Sequence, residues 1–262
     1  MQQKQLSQKQ QEILTLLPRF RFLDRTHIQS FLKHKDEARI NKWLKYLIQN
    51  QYVIRRYDNA IIGKNKRPAI FLLGNSGVGF INSFGMYDKN FIHKLYFDKK
   101  RSETFIEHCL MIVSICCALN SQQSETKSYE HTTESDMIDP HNPFHFLRNS
   151  ELSIDLVFSK KEQGKRKKWY FLTYFDQTLP RYRLRNRIRK IKEFYFSSEW
   201  ENNTVQKFPM VLLLFEKKER MIYAKRYTKQ LFEDEELPVD LSFNFATAQD
   251  AKKDGVTGAI WE

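Results

Sequence analysis

Apolar residues recur at helical spacing along the first third of the chain. Leu6, Ile13, Leu16 and Leu17 mark a first helix, which Pro18 helps to end. Asp24 is placed to cap a second helix whose Ile28, Phe31 and Leu32 face a core. A third helix starts near Asp36. Its Ile40, Trp43, Leu44, Leu47 and Ile48 fall at i, i+3, i+4, i+7 and i+8, a full buried stripe. Lys35, Arg39, Lys42 and Tyr46 are left on the other face. The pattern then shortens to two strand-like runs, Tyr52–Tyr57, which holds Arg55 and Arg56, and Ala69–Leu73. The loop between them carries Gly63, Lys64, Asn65, Lys66 and Arg67. Three short helices followed by a basic hairpin is the order of a winged helix-turn-helix. Its third helix fits a major groove, and its hairpin lies along a backbone or minor groove.

The pattern changes after a polar stretch, 82–100, that reads as a connector. A helix runs from about Glu103 to Leu119, with Ile106, Leu110, Val113 and Cys117 inward. Residues 121–150 are polar and read as a loop with an edge strand nearby. Two strong strands follow at 152–158 and 169–175, joined by a charged turn at 160–168. Pro180 opens a helix with Leu184, Ile188, Ile191 and Tyr195 on its apolar side. A buried strand at Met210–Phe215, a helix near 217–232 and an end strand near 241–246 complete the run. This predicts an α/β (α+β) chain in two domains, a winged helix over 1–98 and an α/β domain over 99–262.

Charge sharpens the picture. Residues 1–100 hold 19 Lys+Arg against 7 Asp+Glu, whereas 101–262 hold 25 against 24. Nearly all of the net +13 therefore sits in the first third. A small basic helical head suits duplex DNA, because phosphate neutralisation supplies most non-specific affinity. A solvated helix face is the competing explanation for Lys35, Arg39 and Lys42. The near-neutral remainder conceals a second basic patch. Residues 160–192 carry 13 Lys+Arg against Glu162 and Asp176, and Arg181, Arg185, Arg189 and Lys192 lie on its helix.

No stretch reaches the roughly 18 consecutive apolar residues of a membrane span, so no membrane partner is expected. The polar start lacks the apolar region of a secretory signal. Cys109, Cys116 and Cys117 are an odd set, and the adjacent pair suits a disulfide poorly, which fits a reducing cytoplasm.

Candidate chemistry is sparse. Gly74-Asn-Ser-Gly-Val-Gly79 opens like a phosphate-binding loop, but Phe80 and Ile81 stand where that loop needs Lys and then Ser or Thr. A turn entering a short helix is expected instead. His108 with Cys109 and Cys116 has no established ligand spacing, and the prolines at 140 and 143 argue against a helix holding His141 and His145. No metal and no cofactor is expected. The second-domain order matches the core of the restriction-endonuclease-like fold, whose site needs an Asp at one strand and E-x-K on the next. Those groups hold a divalent metal and steady the attacking water. Asp155 is in place, but Thr173 and Phe175 stand at the Glu and Lys positions. Asp155 is the one nuclease position retained, and no enzymatic activity is expected.

Several stretches together resemble the replication-relaxation family of bacterial plasmids and mobile elements. They are Ile13–Leu23, Leu44–Ile54, Leu73–Gly77, Glu107-His108 with the following helix, the Asp155 strand, Leu172–Thr178 and Gly258–Trp261. The resemblance implies a cytoplasmic DNA-binding accessory of plasmid replication or relaxation. Such a protein binds double-stranded DNA at an origin and recruits a relaxase or a replication initiator, with a homodimer left open. In many relatives the strand near residue 173 carries an acidic pair, and Thr173 replaces its first member. A transcriptional regulator of a mobile element is the alternative, and a metal-dependent nuclease a third reading.

Overall fold

The computed structural model describes residues 5–56, 68–148, 150–235 and 241–262. It is a mixed α/β chain with one three-stranded and one five-stranded sheet. The chain divides into two compact units, Met1–Cys117 with Ile138–Pro140, and Ala118–Met137 with His141–Glu262.

In the first unit, α1 (Gln8–Phe20) starts on a reciprocal cap. Ser7 Oγ accepts from the Gln10 N–H, and Gln10 returns a bond to the Ser7 N–H. Pro18 does not end this helix. It sits in the last turn and costs one backbone bond, and the stop comes at Arg21, whose φ of 66° no helix can continue. β1 (Leu23–Asp24) leads into α2 (Arg25–Leu32), capped by Asp24 as its sequence position predicts. α3 (Glu37–Gln49) begins at Asp36, whose carboxylate accepts from the Arg39 N–H at 3.1 Å. Its buried stripe is narrower than the pattern suggests. Ile40, Leu44 and Leu47 are buried, while Trp43 and Ile48 are half-buried and Trp43 meets His34 edge-on.

β2 (Val53–Arg56) pairs antiparallel with β3 (Ile70–Leu73), and the sheet order is β1-β3-β2. Lys64, Lys66 and Arg67, in the loop that joins them, lie outside the described residues. α4 (Asn75–Asn82) follows directly. The N–H groups of Gly74 and Ser76, which would cradle phosphate in a nucleotide loop, donate instead to the Tyr52 and Gln51 carbonyls at 2.9 and 3.2 Å. A Cβ on Gly74 or Gly77 would collide with those same carbonyls, so the glycines serve close backbone packing.

The stretch 82–100 is not a plain connector. It holds α5 (Lys89–Tyr96), capped by Asp88, and a 3-10 turn at Asp98–Lys100. Phe91, Ile92 and Leu95 bury its apolar side. Asp98 is buried at the centre of a cationic clasp. Arg21 grips it through two nitrogens, one at 2.6 Å, and Arg101 stands 3.6 Å away. The Arg21 guanidinium also lies 5.5 Å from the Phe91 and Phe105 rings.

α6 (Glu103–Ser121) is the one helix among the described residues long and apolar enough to cross a membrane by length and composition. Its Ile106 is buried with Phe22, Ile70 and Leu72 of the first unit. Because this half of α6 belongs to the first core, the division falls inside the helix, at 117–118, where the pattern of the sequence places it at 98–99.

The second unit holds β4 (Lys127–Thr133), β5 (Leu156–Glu162), β6 (Lys168–Phe175), α7 (Arg181–Phe196), α8 (Glu199–Thr204), β7 (Met210–Phe215), α9 (Lys218–Glu235), β8 (Phe243–Thr247) and α10 (Ala248–Asp254). The sheet runs β4-β5-β6-β7-β8, antiparallel through β6 and parallel from β6 to β8. β7 is the continuous apolar run that a central parallel strand buried on both faces requires. Leu184, Ile188 and Ile191 of α7 and Met221 and Ala224 of α9 pack with Val211, Leu213 and Phe215. A second cluster centres on Trp200, stacked on Phe144 and edge-on to Phe171, with its Nε1 donating to the Lys207 carbonyl at 3.0 Å.

Candidate nucleic-acid interface

α3 presents its polar side opposite Ile40, Leu44 and Leu47. Arg39 and Lys42 are exposed there and Tyr46 is half-buried, at i, i+3 and i+7 along one face. Lys35, just before the helix, and Lys45, which the pattern reading omits, are exposed too. Among the described residues, Lys35, Arg39 and Lys42 form no ion pair. The acids beside them are engaged elsewhere: Asp36 caps the helix, and Glu37 pairs with Arg25 at 2.9 Å. The exposed face is therefore cationic without local neutralisation.

The strand residues divide. Successive side chains of a strand point to opposite sides. Arg55 is exposed, whereas Arg56 donates to the Arg101 carbonyl at 3.1 Å and pairs with Glu103. Arg56 thus serves the unit's own packing and not the expected outer surface.

One arrangement in this unit mimics a catalytic relay. His27 Nδ1 lies 3.1 Å from Asp24 Oδ1, and His27 Nε2 lies 3.0 Å from Ser114 Oγ. The proton is in the wrong place for a nucleophile. Nδ1 accepts from the Asp24 backbone N–H at 3.2 Å, so in the neutral ring Nε2 carries the hydrogen and donates to Ser114. Ser114 in turn donates to the Leu110 carbonyl of its own helix. The set is a helix cap tied to α6.

Burial by itself would raise the Asp24 carboxyl, but hydrogen bonds from the Thr26 hydroxyl and the His27 backbone N–H outweigh it and hold the group at about 2, below its ordinary 3.8. The unfolded chain then takes up this proton first as the pH falls. The cap's contribution is full above about pH 4 and is lost as the pH drops towards 2. Melting temperature followed over that range should fall more steeply for the wild-type protein than for Asp24→Asn. Parallel profiles would contradict the assignment.

In the second unit, Asp155 is tied to the neighbouring strand. Its Oδ2 accepts from the Tyr174 N–H at 2.7 Å. Thr173 is buried and donates to the Ser153 carbonyl at 3.0 Å, and Phe175 is buried and stacked 4.9 Å from Phe215. Asp176 accepts from the Thr178 and Leu179 N–H groups and shapes the turn into α7. Among the described residues no group of three or more His, Cys, Asp and Glu could hold a metal ion.

The basic patch at 160–192 separates into two parts. In the β5–β6 turn, Lys160 and Lys165 pair with Glu162, each at 2.6 Å, and hold its carboxyl at about 2, while Lys167 pairs with Glu130. On α7, Lys190 pairs with Glu151 and Glu193, and Lys192 is half-buried. Arg181, Arg185 and Arg189 are exposed at successive i, i+4 positions. Two tyrosines of α9 that the pattern reading passes over meet this row. The Arg181 guanidinium stands 4.8 Å from the Tyr223 ring, and Arg185 stands 5.9 Å from Tyr227. Arg181, Lys217, Arg220 and Tyr223 also line a cleft of about 330 Å³ beside the starts of α7 and α9.

No family model and no curated protein matches the chain. Among solved structures, it is similar to a mutant of ZitR from Lactococcus lactis in apo form, with 19% identity, coverage of 42% of this chain and 79% of that one, and a TM-score of 0.27. A second ZitR mutant gives 17% identity, coverage of 44% and 75%, and the same TM-score of 0.27.

Proposed function

We propose that the chain is a DNA-binding protein whose first unit is a winged helix reading duplex DNA through α3. The observation that carries this is the exposed, locally unneutralised Arg39 and Lys42 on the third helix of a three-helix, antiparallel-hairpin unit. A helix placed this way sets its polar side into a major groove while Ile40, Leu44 and Leu47 anchor it to the body.

The resemblance to the replication-relaxation family adds the setting. The protein acts as a cytoplasmic accessory at a plasmid or mobile-element origin, where it recruits a relaxase or an initiator. The second unit's order, three antiparallel strands followed by helices and the parallel strand β7, supports a restriction-endonuclease-like core, with the helix ahead of it, α6, held mostly in the first unit. Thr173 and Phe175 deprive that core of its acid and its lysine, so we take it as a binding body and not a nuclease.

Footprinting on the host plasmid locates the site: an origin supports the accessory role, and a promoter supports a transcriptional regulator. On that site Arg39→Ala should cost about 1–3 kcal/mol, with little change on random duplex. An unchanged ratio of specific to random affinity would remove α3 as the reading helix.

A further inference from the structure

We propose that the outer face of α7 is a binding track for single-stranded nucleic acid, a ligand class separate from the duplex assigned to the first unit. The helix holds charge that it does not need for itself. α7 carries five arginines and two lysines against the single acid Glu193. Arg181 and Arg183 occupy its first turn, where the backbone dipole is already positive, and no acid stands there to offset them. Arg181, Arg185 and Arg189 repel one another at i, i+4 spacing. Lys190 is satisfied by Glu151 and Glu193, which leaves the arginine row as the excess. A polyanion laid along the row relieves each of these costs.

The aromatic residues decide which polyanion. Tyr182 and Phe196 are 59% and 57% exposed, at opposite ends of the same helix. At about 100° per residue, Tyr182, Arg185, Arg189 and Phe196 fall within one narrow sector of the surface. Tyr182 and Phe196 are about 21 Å apart along the axis, room for several bases at about 3.4 Å each. Tyr223 and Tyr227 of α9, half-buried against the core, hold Arg181 and Arg185 along this side of the helix.

Duplex DNA offers phosphates to such a face but keeps its base planes stacked inside. Unstacked bases can lie on the exposed rings while arginines hold the phosphates, which is the sequence-tolerant mode of single-strand binding. The neighbouring cleft is lined by Arg181, Lys217 and Arg220 against the single acid Glu219, with Arg220 also donating to the Leu179 carbonyl, and its net positive lining gives the backbone a place to continue.

The test uses the full chain, fluorescence anisotropy, and labelled oligo-dT of about 20 nucleotides beside a duplex of the same length. Wild-type protein should bind oligo-dT at about 50 mM salt. The double variant Tyr182→Ala with Phe196→Ala should weaken that binding about tenfold or more and leave duplex affinity unchanged. Tyr182→Phe with Phe196→Tyr should restore it. Both residues are exposed, so the circular dichroism spectrum should not change. No oligo-dT binding, an unaffected double variant, or an equal loss on duplex would each overturn the proposal. Binding of poly-glutamate in place of oligo-dT would do the same and identify an acidic protein as the occupant. Arg39→Ala provides the separate arm. Measured on the footprinted duplex site, weaker binding by Arg39→Ala with oligo-dT binding retained supports both assignments, and a wild-type chain that binds oligo-dT but no duplex removes only the winged-helix reading.

Discussion

Asp98→Ala should lower the stability of the first unit by about 3–5 kcal/mol, the cost of leaving a buried charge without its partner. Asp98 is 3% exposed and receives Arg21 through two nitrogens, with Arg101 close by. Removing the carboxylate strands the Arg21 charge between the Phe91 and Phe105 rings. It also releases a residue held at φ 66°, a conformation that a non-glycine backbone adopts at a cost. Urea denaturation followed by circular dichroism measures the change. The double variant Arg21→Met with Asp98→Leu should cost much less than Asp98→Ala, because it removes both charges from the interior together. A loss below about 1 kcal/mol for Asp98→Ala would mean that the clasp does not hold α1 to the segment before α6.

Much of the fold is legible in local sequence. The Asp24 and Asp36 caps, the start of α7 after Pro180 and the whole of β7 follow from capping chemistry and apolar runs. What is not legible depends on partners distant in sequence. β5 begins at Leu156 and continues through Lys160, Lys161 and Glu162, a polar tail that becomes strand because β4 pairs with it residue by residue. α5 hides in a lysine-rich stretch that reads as a connector, and only Asp88 with Phe91, Ile92 and Leu95 marks it.

The candidate site shows the same division. The exposed side of α3 follows from periodicity alone. That Arg56 turns to Glu103, that Lys190 turns to Glu151, and that Tyr223 and Tyr227 face the arginine row are facts of tertiary packing. The period-2 rule does carry part of the Arg55 and Arg56 outcome, since adjacent strand residues cannot share a face.

Duplex binding should weaken steeply with salt, and this is the largest functional effect expected. Lys35, Arg39, Lys42, Lys45 and Arg55 supply exposed positive charge in the first unit, the one assigned to duplex. If about six phosphates are neutralised, log K should fall against log salt with a slope near −5, since each contact releases condensed counterions. Between about 50 and 200 mM salt the affinity should drop about a thousandfold. A surface that is merely solvated, or a winged helix that binds protein, has no such dependence on DNA. The most direct measurement is therefore equilibrium binding of the full chain to duplex DNA across that salt range by fluorescence anisotropy. A slope near −5 is the result expected. A flat dependence, or no binding at about 50 mM salt, would contradict a DNA-binding function.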